Sequence, residues 1–226
     1  DTEDSDADLE AVIGAAPTGI VLPKPGSAAD VSELAVRLDR LEQQHGIAIG
    51  TTRIMALCTE RPAALFTLGS YASATPRLDA LSWGAEDLGA AIGVRANRDS
   101  DGNWLPVFEM ARSLCLLAAA AAEVTAIDTV FTDFRDDAGL VSSAANAYRD
   151  GFGGMLAIHP AQVAIINAAF TPSHEEIEHA QRIVALFAAD PGLGTVGMDG
   201  KMIDRPHLVQ AEKILRLAGQ SRNENG

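Results

Sequence analysis

Short apolar runs alternate with amphipathic stretches along most of the chain. Gly19-Ile-Val-Leu-Pro-Lys24 is a continuous apolar run of the kind that forms a buried parallel strand. Ser27-Ala-Ala-Asp30 then reads as a capping-box-like helix start, with Val31, Leu34, Leu38 and Leu41 at helical spacing and Gly46 as the stop. Arg53 to Cys58 is the second expected strand, followed by a helix from Pro62 to Leu68. Leu78 to Trp83 is the third, running into a turn at Gly84-Ala-Glu-Asp-Leu88, and Pro106 to Glu123 is a long Ala/Leu-rich helix. Ala126 to Asp133 and Met155 to His159 are the fourth and fifth strands, each followed by a helix, Leu140 to Asp150 and Pro160 to Ala169. Two more helices, 173–189 and 205–218, are expected without strands between them. Ser173 and Glu176 cap the first, and the Gly-rich segment Pro191 to Gly200 joins the two as a mobile connection.

Strand and helix in regular alternation mean a parallel α/β architecture. Five strands do not close a (β/α)8 barrel, which needs eight and about 250 residues. An open doubly wound sheet accommodates five, but it carries a Gly-rich phosphate loop after its first strand, where this chain has Pro23-Lys-Pro-Gly26. Gly151-Phe-Gly-Gly154 precedes a strand and fails the dinucleotide fingerprint. There is no internal repeat.

Composition narrows the partners. The 226 residues are 47% hydrophobic with net charge −14, and six of the first ten are acidic. A nucleic-acid partner requires a basic stripe to neutralise phosphates, and none is present. The charge does not exclude a phosphate-bearing small molecule, which needs only a few local cations or a helix N-terminus. No apolar run reaches the roughly 18 residues of a membrane span. The opening Asp1-Thr-Glu-Asp-Ser-Asp6 resembles no secretory signal, and Cys58 and Cys115 read as reduced core side chains; a cytoplasmic protein is expected.

The candidate chemistry lies where strands give way to loops, the rim at which (β/α) proteins place reactive groups. Glu60 and Asp87 follow successive strands there and form a plausible seat for a hard divalent cation. Each residue also has a plainer reading. Glu60 can be a solvated acid before Pro62 at the positive end of a helix, and Asp87 an ordinary first-turn acid. Asp204 can be an N-cap two residues before Pro206. Lys24 ends a strand on the same rim, where it is either a surface lysine or a partner for an anionic group. His159, in His-Pro at a strand–helix junction, is either structural or functional. Asn97-Arg-Asp-Ser-Asp-Gly102 begins like a calcium loop but has Phe108 where the bidentate Glu belongs, so it is read as a turn.

The segments Gly19 to Lys24, Gly84-Ala-Glu-Asp-Leu88, Ile127-Asp-Thr-Val-Phe-Thr-Asp-Phe-Arg-Asp-Asp-Ala-Gly-Leu140, Ile158-His-Pro160 and Met202-Ile-Asp-Arg-Pro206 occur in this order. Together they resemble the citrate lyase β-subunit-like branch of the HpcH/HpaI aldolase family. The resemblance implies strands four to eight of a TIM (β/α)8 barrel over 1–170 and a C-terminal helical lid over 171–226. It implies Mg²⁺ held by Glu60 and Asp87, with Asp204 on the lid reaching a neighbouring subunit's active site as acid or base. Lys24 and His159 become the candidates for binding the coenzyme. The implied activity is Mg²⁺-dependent cleavage or formation of a 3-hydroxyacyl-CoA thioester such as malyl-, citramalyl- or citryl-CoA, with a keto acid as co-product, in a homotrimer or hexamer. The alternatives are a coenzyme A-independent aldolase of 2-keto-3-hydroxy acids and a non-catalytic acyl-CoA-binding subunit. The family's first three strands, with their substrate-carboxylate arginine, have no counterpart here. A fragment of a longer chain is therefore expected, because a half-barrel exposes strand edges that aggregate.

Overall fold

The computed structural model describes residues 5–190, 192 and 194–224, with side chains described up to 219. It divides between Val163 and Ala164 into two compact units.

In the first unit, α1 (Ser5–Ile13) and α2 (Ala28–Gln44) flank β1 (Gly19–Leu22). Ser27 caps α2 by accepting from the Ala29 N–H, and Val31, Leu34, Leu38 and Leu41 form its buried stripe. Then come β2 (Arg53–Leu57), a 3₁₀ run over Pro62–Ser73, β3 (Leu78–Ser82) and α3 (Ala85–Ile92). The unit continues through α4 (Pro106–Ala121), β4 (Thr125–Asp128), α5 (Asp137–Asp150), β5 (Gly154–Met155) and the start of α6 (Pro160–Ala169). The five strands pair in parallel in the order β1-β2-β3-β4-β5. The order contains no reversal of the kind that defines a doubly wound sheet. Every β-to-α turn therefore leaves the same edge of the sheet, and this gathers the candidate residues.

The expected helix at Pro62–Leu68 is instead the longer 3₁₀ run. The fourth and fifth strands are shorter than the apolar runs suggested, because Thr129 to Asp133 and Leu156 to His159 leave the ladder as rim loops. Trp83, Phe108, Leu81, Ile54 and both cysteines are fully buried. The thiols lie 3.7 Å apart and are free.

At the opposite end of the strands, Glu42 is fully buried and accepts from the Gly50 and Thr52 N–H groups, both at 2.7 Å, and from Arg77. The Arg77 guanidinium holds the Glu42 carboxyl down at about 2. This pair sets an acid limit on stability. A carboxyl depressed in the folded state stabilises it above the unfolded value, and that contribution is lost as pH falls through about 4 toward 2. Arg77→Met strands a buried carboxylate and is expected to cost about 3–5 kcal/mol at neutral pH. Urea melts from pH 7 to 3 should show the variant far weaker at pH 7 and the gap closing in acid.

The second unit contains α7 (His174–Ala189), an antiparallel hairpin of β6 (Thr195–Met198) and β7 (Lys201–Asp204), and α8 (Arg205–Glu224). Ser173 and Glu176 form the expected capping box. The hairpin corrects the expectation of two helices with no strand between them. Asp199 and Gly200 both have positive φ, 52° and 75°, and form a two-residue turn whose twist matches paired strands. Met198 and Ile203 face Ala180, Ile183 and Phe187 of α7 and Ala211 of α8 to form this unit's core. Pro191, one end of the connection expected to be mobile, lies outside the described residues.

Candidate functional site

Three of the five singled-out residues meet at the carboxyl rim of the sheet. β1 ends at Leu22, and the chain turns at Lys24 with φ of 54°, a left-handed conformation uncommon for a residue with a side chain. Pro23 and Pro25 flank it. In that turn the Lys24 backbone N–H donates to Glu60 Oε2 at 2.6 Å, while its Nζ lies 2.8 Å from Asp87 Oδ1. One residue thus touches both acids.

Glu60 is 8% exposed and follows β2 by three residues. Asp87 sits in the first turn of α3, where its charge also suits the helix dipole. Each carboxyl acts on the titration of the other. Burial, together with the neighbouring Asp87, raises the Glu60 carboxyl above the ordinary range even though the Lys24 N–H opposes it. The bond from Lys24, aided by Glu60, holds Asp87 below it. Two carboxyls thus share Lys24, one at its amide and the other at its single ammonium. The donor set is all hard oxygen, fitting a divalent cation that keeps several sites for water and substrate oxygens. No group of three His, Cys, Asp or Glu residues with metal-holding geometry occurs among the described residues. Such a cation would therefore rest on these two acids and on ligand oxygens.

Gly84 makes this arrangement possible. A Cβ there would meet Glu60 Cγ at 2.7 Å, and its N–H donates to Thr59 Oγ1 at 3.2 Å. Its φ of −120° is open to any residue, so a side chain would act on Glu60 and not on the backbone. Gly84→Ala is expected to weaken Mg²⁺ binding about tenfold or more with a small change in melting temperature. Titration calorimetry beside a thermal melt checks it; unchanged affinity would mean that Glu60 does not hold the ion.

Beside α3 the rim opens into a cavity of about 680 Å³, lined in part by Glu86, Asn97, Arg98, Trp104, Phe131 and Asp133. Its size is that of a small-molecule pocket. Arg98 lies 3.5 Å over the Trp104 ring, and Trp104 packs edge-on against Trp83. The loop from Asn97 is a turn closed on Asp99, whose Oδ1 accepts from the Asp101 and Asn103 N–H groups, both at 2.9 Å.

His159 stands on the same rim after β5 but outside the acid cluster. Its ring stacks on Phe134 at 5.1 Å, and Nδ1 accepts from the Ala161 N–H at 3.2 Å, capping α6. Asp204 ends β7 in the second unit. Its carboxylate is bonded to His207 Nδ1, one helical turn into α8. His207 has one local signal in the sequence, since an acid and a histidine three apart at a helix start are natural neighbours. Gly84 has none as a positioning residue, because its contact with Glu60 exists only in the fold.

The family model for HpcH/HpaI aldolase/citrate lyase matches residues 1–160. A citrate lyase subunit beta-like protein of Mycobacterium tuberculosis is 38% identical over 223 residues, covering 99% of this chain and 75% of the relative. A (3S)-malyl-CoA thioesterase of Cereibacter sphaeroides is 34% identical over 220 residues, covering 96% and 71%. Among solved structures, protein CitE of M. tuberculosis in complex with magnesium, acetoacetate and coenzyme A superposes with a TM-score of 0.77 at 36% identity, covering 96% of this chain and 74% of that one.

Proposed function

Because the chain belongs to the HpcH/HpaI aldolase/citrate lyase family and is a carbon–carbon lyase, we propose that it cleaves or forms 3-hydroxyacyl-CoA thioesters with Mg²⁺ held by Glu60 and Asp87. The observation that carries this reading is the buried Glu60 carboxyl beside ionised Asp87 on the rim. In this proposal the five parallel strands are a consecutive part of a TIM-type barrel, and α7 to α8 are a C-terminal helical lid. The unbroken strand order supports that assignment. The protein acts in the cytoplasm as a homo-oligomer.

A bound Mg²⁺ supplies Lewis acidity to the carbonyl oxygen that forms as the carbon–carbon bond breaks. Glu60 and Asp87 would hold that ion, and Gly84 leaves room for the Glu60 side chain. As the β-hydroxyl proton passes to solvent, the hydroxyl carbon becomes the carbonyl of the keto acid, and the electrons of the broken carbon–carbon bond remain as the enolate of the acetyl thioester. Asp204, paired with His207, acts at a neighbouring subunit's site, where it returns a proton to the enolate carbon in cleavage and removes it in condensation. Lys24, beside Glu60 and Asp87 on the rim, provides a cation for the substrate's anionic groups. We assign His159 a positioning role at the thioester end of the rim, consistent with its capping bond and its stacking on Phe134.

A substrate panel tests the proposal. Malyl-, citramalyl- and citryl-CoA should release glyoxylate, pyruvate and oxaloacetate respectively, each with acetyl-CoA, while free 2-keto-3-hydroxy acids should not react. Cleavage of the free acids alone would favour the coenzyme-independent aldolase. Binding of acyl-CoA with no turnover would favour a binding subunit. The kinship with a malyl-CoA thioesterase makes free coenzyme A a product to monitor.

A further inference from the structure

The ammonium of Lys24 occupies the acid that the proposed cation must use. Its Nζ lies 2.8 Å from Asp87 Oδ1, with side chains 49% and 45% exposed. An ion pair this exposed stabilises a fold very little. The backbone beneath it is nevertheless specialised. Lys24 adopts φ of 54° between two prolines, where a residue preceding proline ordinarily takes extended backbone. A side chain held in this region costs about 1–3 kcal/mol, and such strain collects at functional sites. The turn gives one residue two reaches, the amide inward to Glu60 Oε2 and the ammonium across to Asp87. The bond to the amide does not depend on the side chain.

We propose that Lys24 is a tethered competitor for the divalent cation: its amide keeps Glu60 in place while its ammonium neutralises Asp87 and must leave it when the cation binds. The inference rests on the metal reading of Glu60 and Asp87. Mg²⁺ needs carboxylate oxygens at about 2.0–2.1 Å and tolerates little distortion. A dication coordinated to Asp87 and an ammonium bonded to the same oxygen repel at roughly 4 Å, where screening is only partial. The exchange weakens binding of the free ion. It also releases a cation beside the rim, able to meet the carboxylate or phosphate of an arriving substrate. The ion is then retained best when an anionic ligand engages Lys24, so loading of ion and substrate is coupled.

The test is Mn²⁺ binding, read by calorimetry and by the loss of the free-ion paramagnetic resonance signal, on the full chain and on Lys24→Met, Lys24→Gln, Asp87→Asn and the Lys24→Met/Asp87→Asn pair. Lys24→Met and Lys24→Gln keep the amide bond to Glu60, and both should bind Mn²⁺ about five- to tenfold more tightly than the parent. In the Asp87→Asn background Lys24→Met should change affinity less than twofold, because the contested oxygen is gone. Equal or weaker binding by both Lys24 variants would overturn the competition, as would an undiminished gain in the Asp87→Asn background. If the parent chain takes up no Mn²⁺, it is the metal reading itself that fails.

Discussion

Glu60→Ala and Asp87→Ala are each expected to lower carbon–carbon cleavage of the acyl-CoA substrate about 10³-fold or more, matching the several kcal/mol that a metal Lewis acid contributes at a developing oxyanion. Both acids are needed because no third side chain of metal-holding type joins them among the described residues. The two variants should differ in their side effects. Glu60 is buried against Gly84 and accepts the Lys24 N–H, so its truncation leaves a polar void and an orphaned donor. Asp87 is about half exposed, and its loss should barely move the melting temperature. Glu60→Gln preserves the volume and an acceptor oxygen, which separates loss of ligation from loss of packing. If Glu60→Gln and Asp87→Ala both retain turnover and Mg²⁺ affinity, the pair is only a rim ion cluster.

Asp204→Asn should reduce turnover about 10²- to 10⁴-fold, the range of a positioned acid or base, while Mg²⁺ affinity stays within about twofold. That division between turnover and affinity is the signature of a proton-transfer group away from the metal. It also separates catalysis from the helix-start reading, in which the substitution would leave turnover intact. The bond to His207 Nδ1 gives a second handle. His207→Ala removes the partner that orients the carboxylate and should reduce turnover by a smaller factor. Loss of exchange between solvent deuterium and the methyl of acetyl-CoA in Asp204→Asn would tie the effect to carbon protonation.

Much of this arrangement could be read from the chain, and the remainder fails for identifiable reasons. The five parallel strands stood out because buried parallel strands are continuous apolar runs. Their rim ends were harder to place. Val130 and Phe131 are as apolar as Ala126 and Ile127, yet they have left the ladder, and composition does not mark where a strand becomes a loop. The β6–β7 hairpin had a local signal in Asp199-Gly200, a pair suited to a two-residue turn. It was masked by the surrounding glycines, which suggested a mobile connection. Glu60 and Asp87 were visible as acids after successive strands. What brings Lys24 onto both of them, a left-handed residue 36 positions from Glu60, is a property of the folded backbone with no periodic signature. Gly84 was seen as part of a turn, but its reason is the contact with Glu60, 24 positions before it.

The most direct test of the central claim is the set of products formed from citramalyl-CoA before chelation, after chelation and after Mg²⁺ is restored, resolved by mass spectrometry. The account predicts acetyl-CoA and pyruvate in equal amounts with Mg²⁺, neither after chelation, and recovery on restoration, with Glu60→Gln and Asp87→Ala silent throughout. Turnover that persists in chelator, or release of coenzyme A and citramalate with no pyruvate, would contradict it.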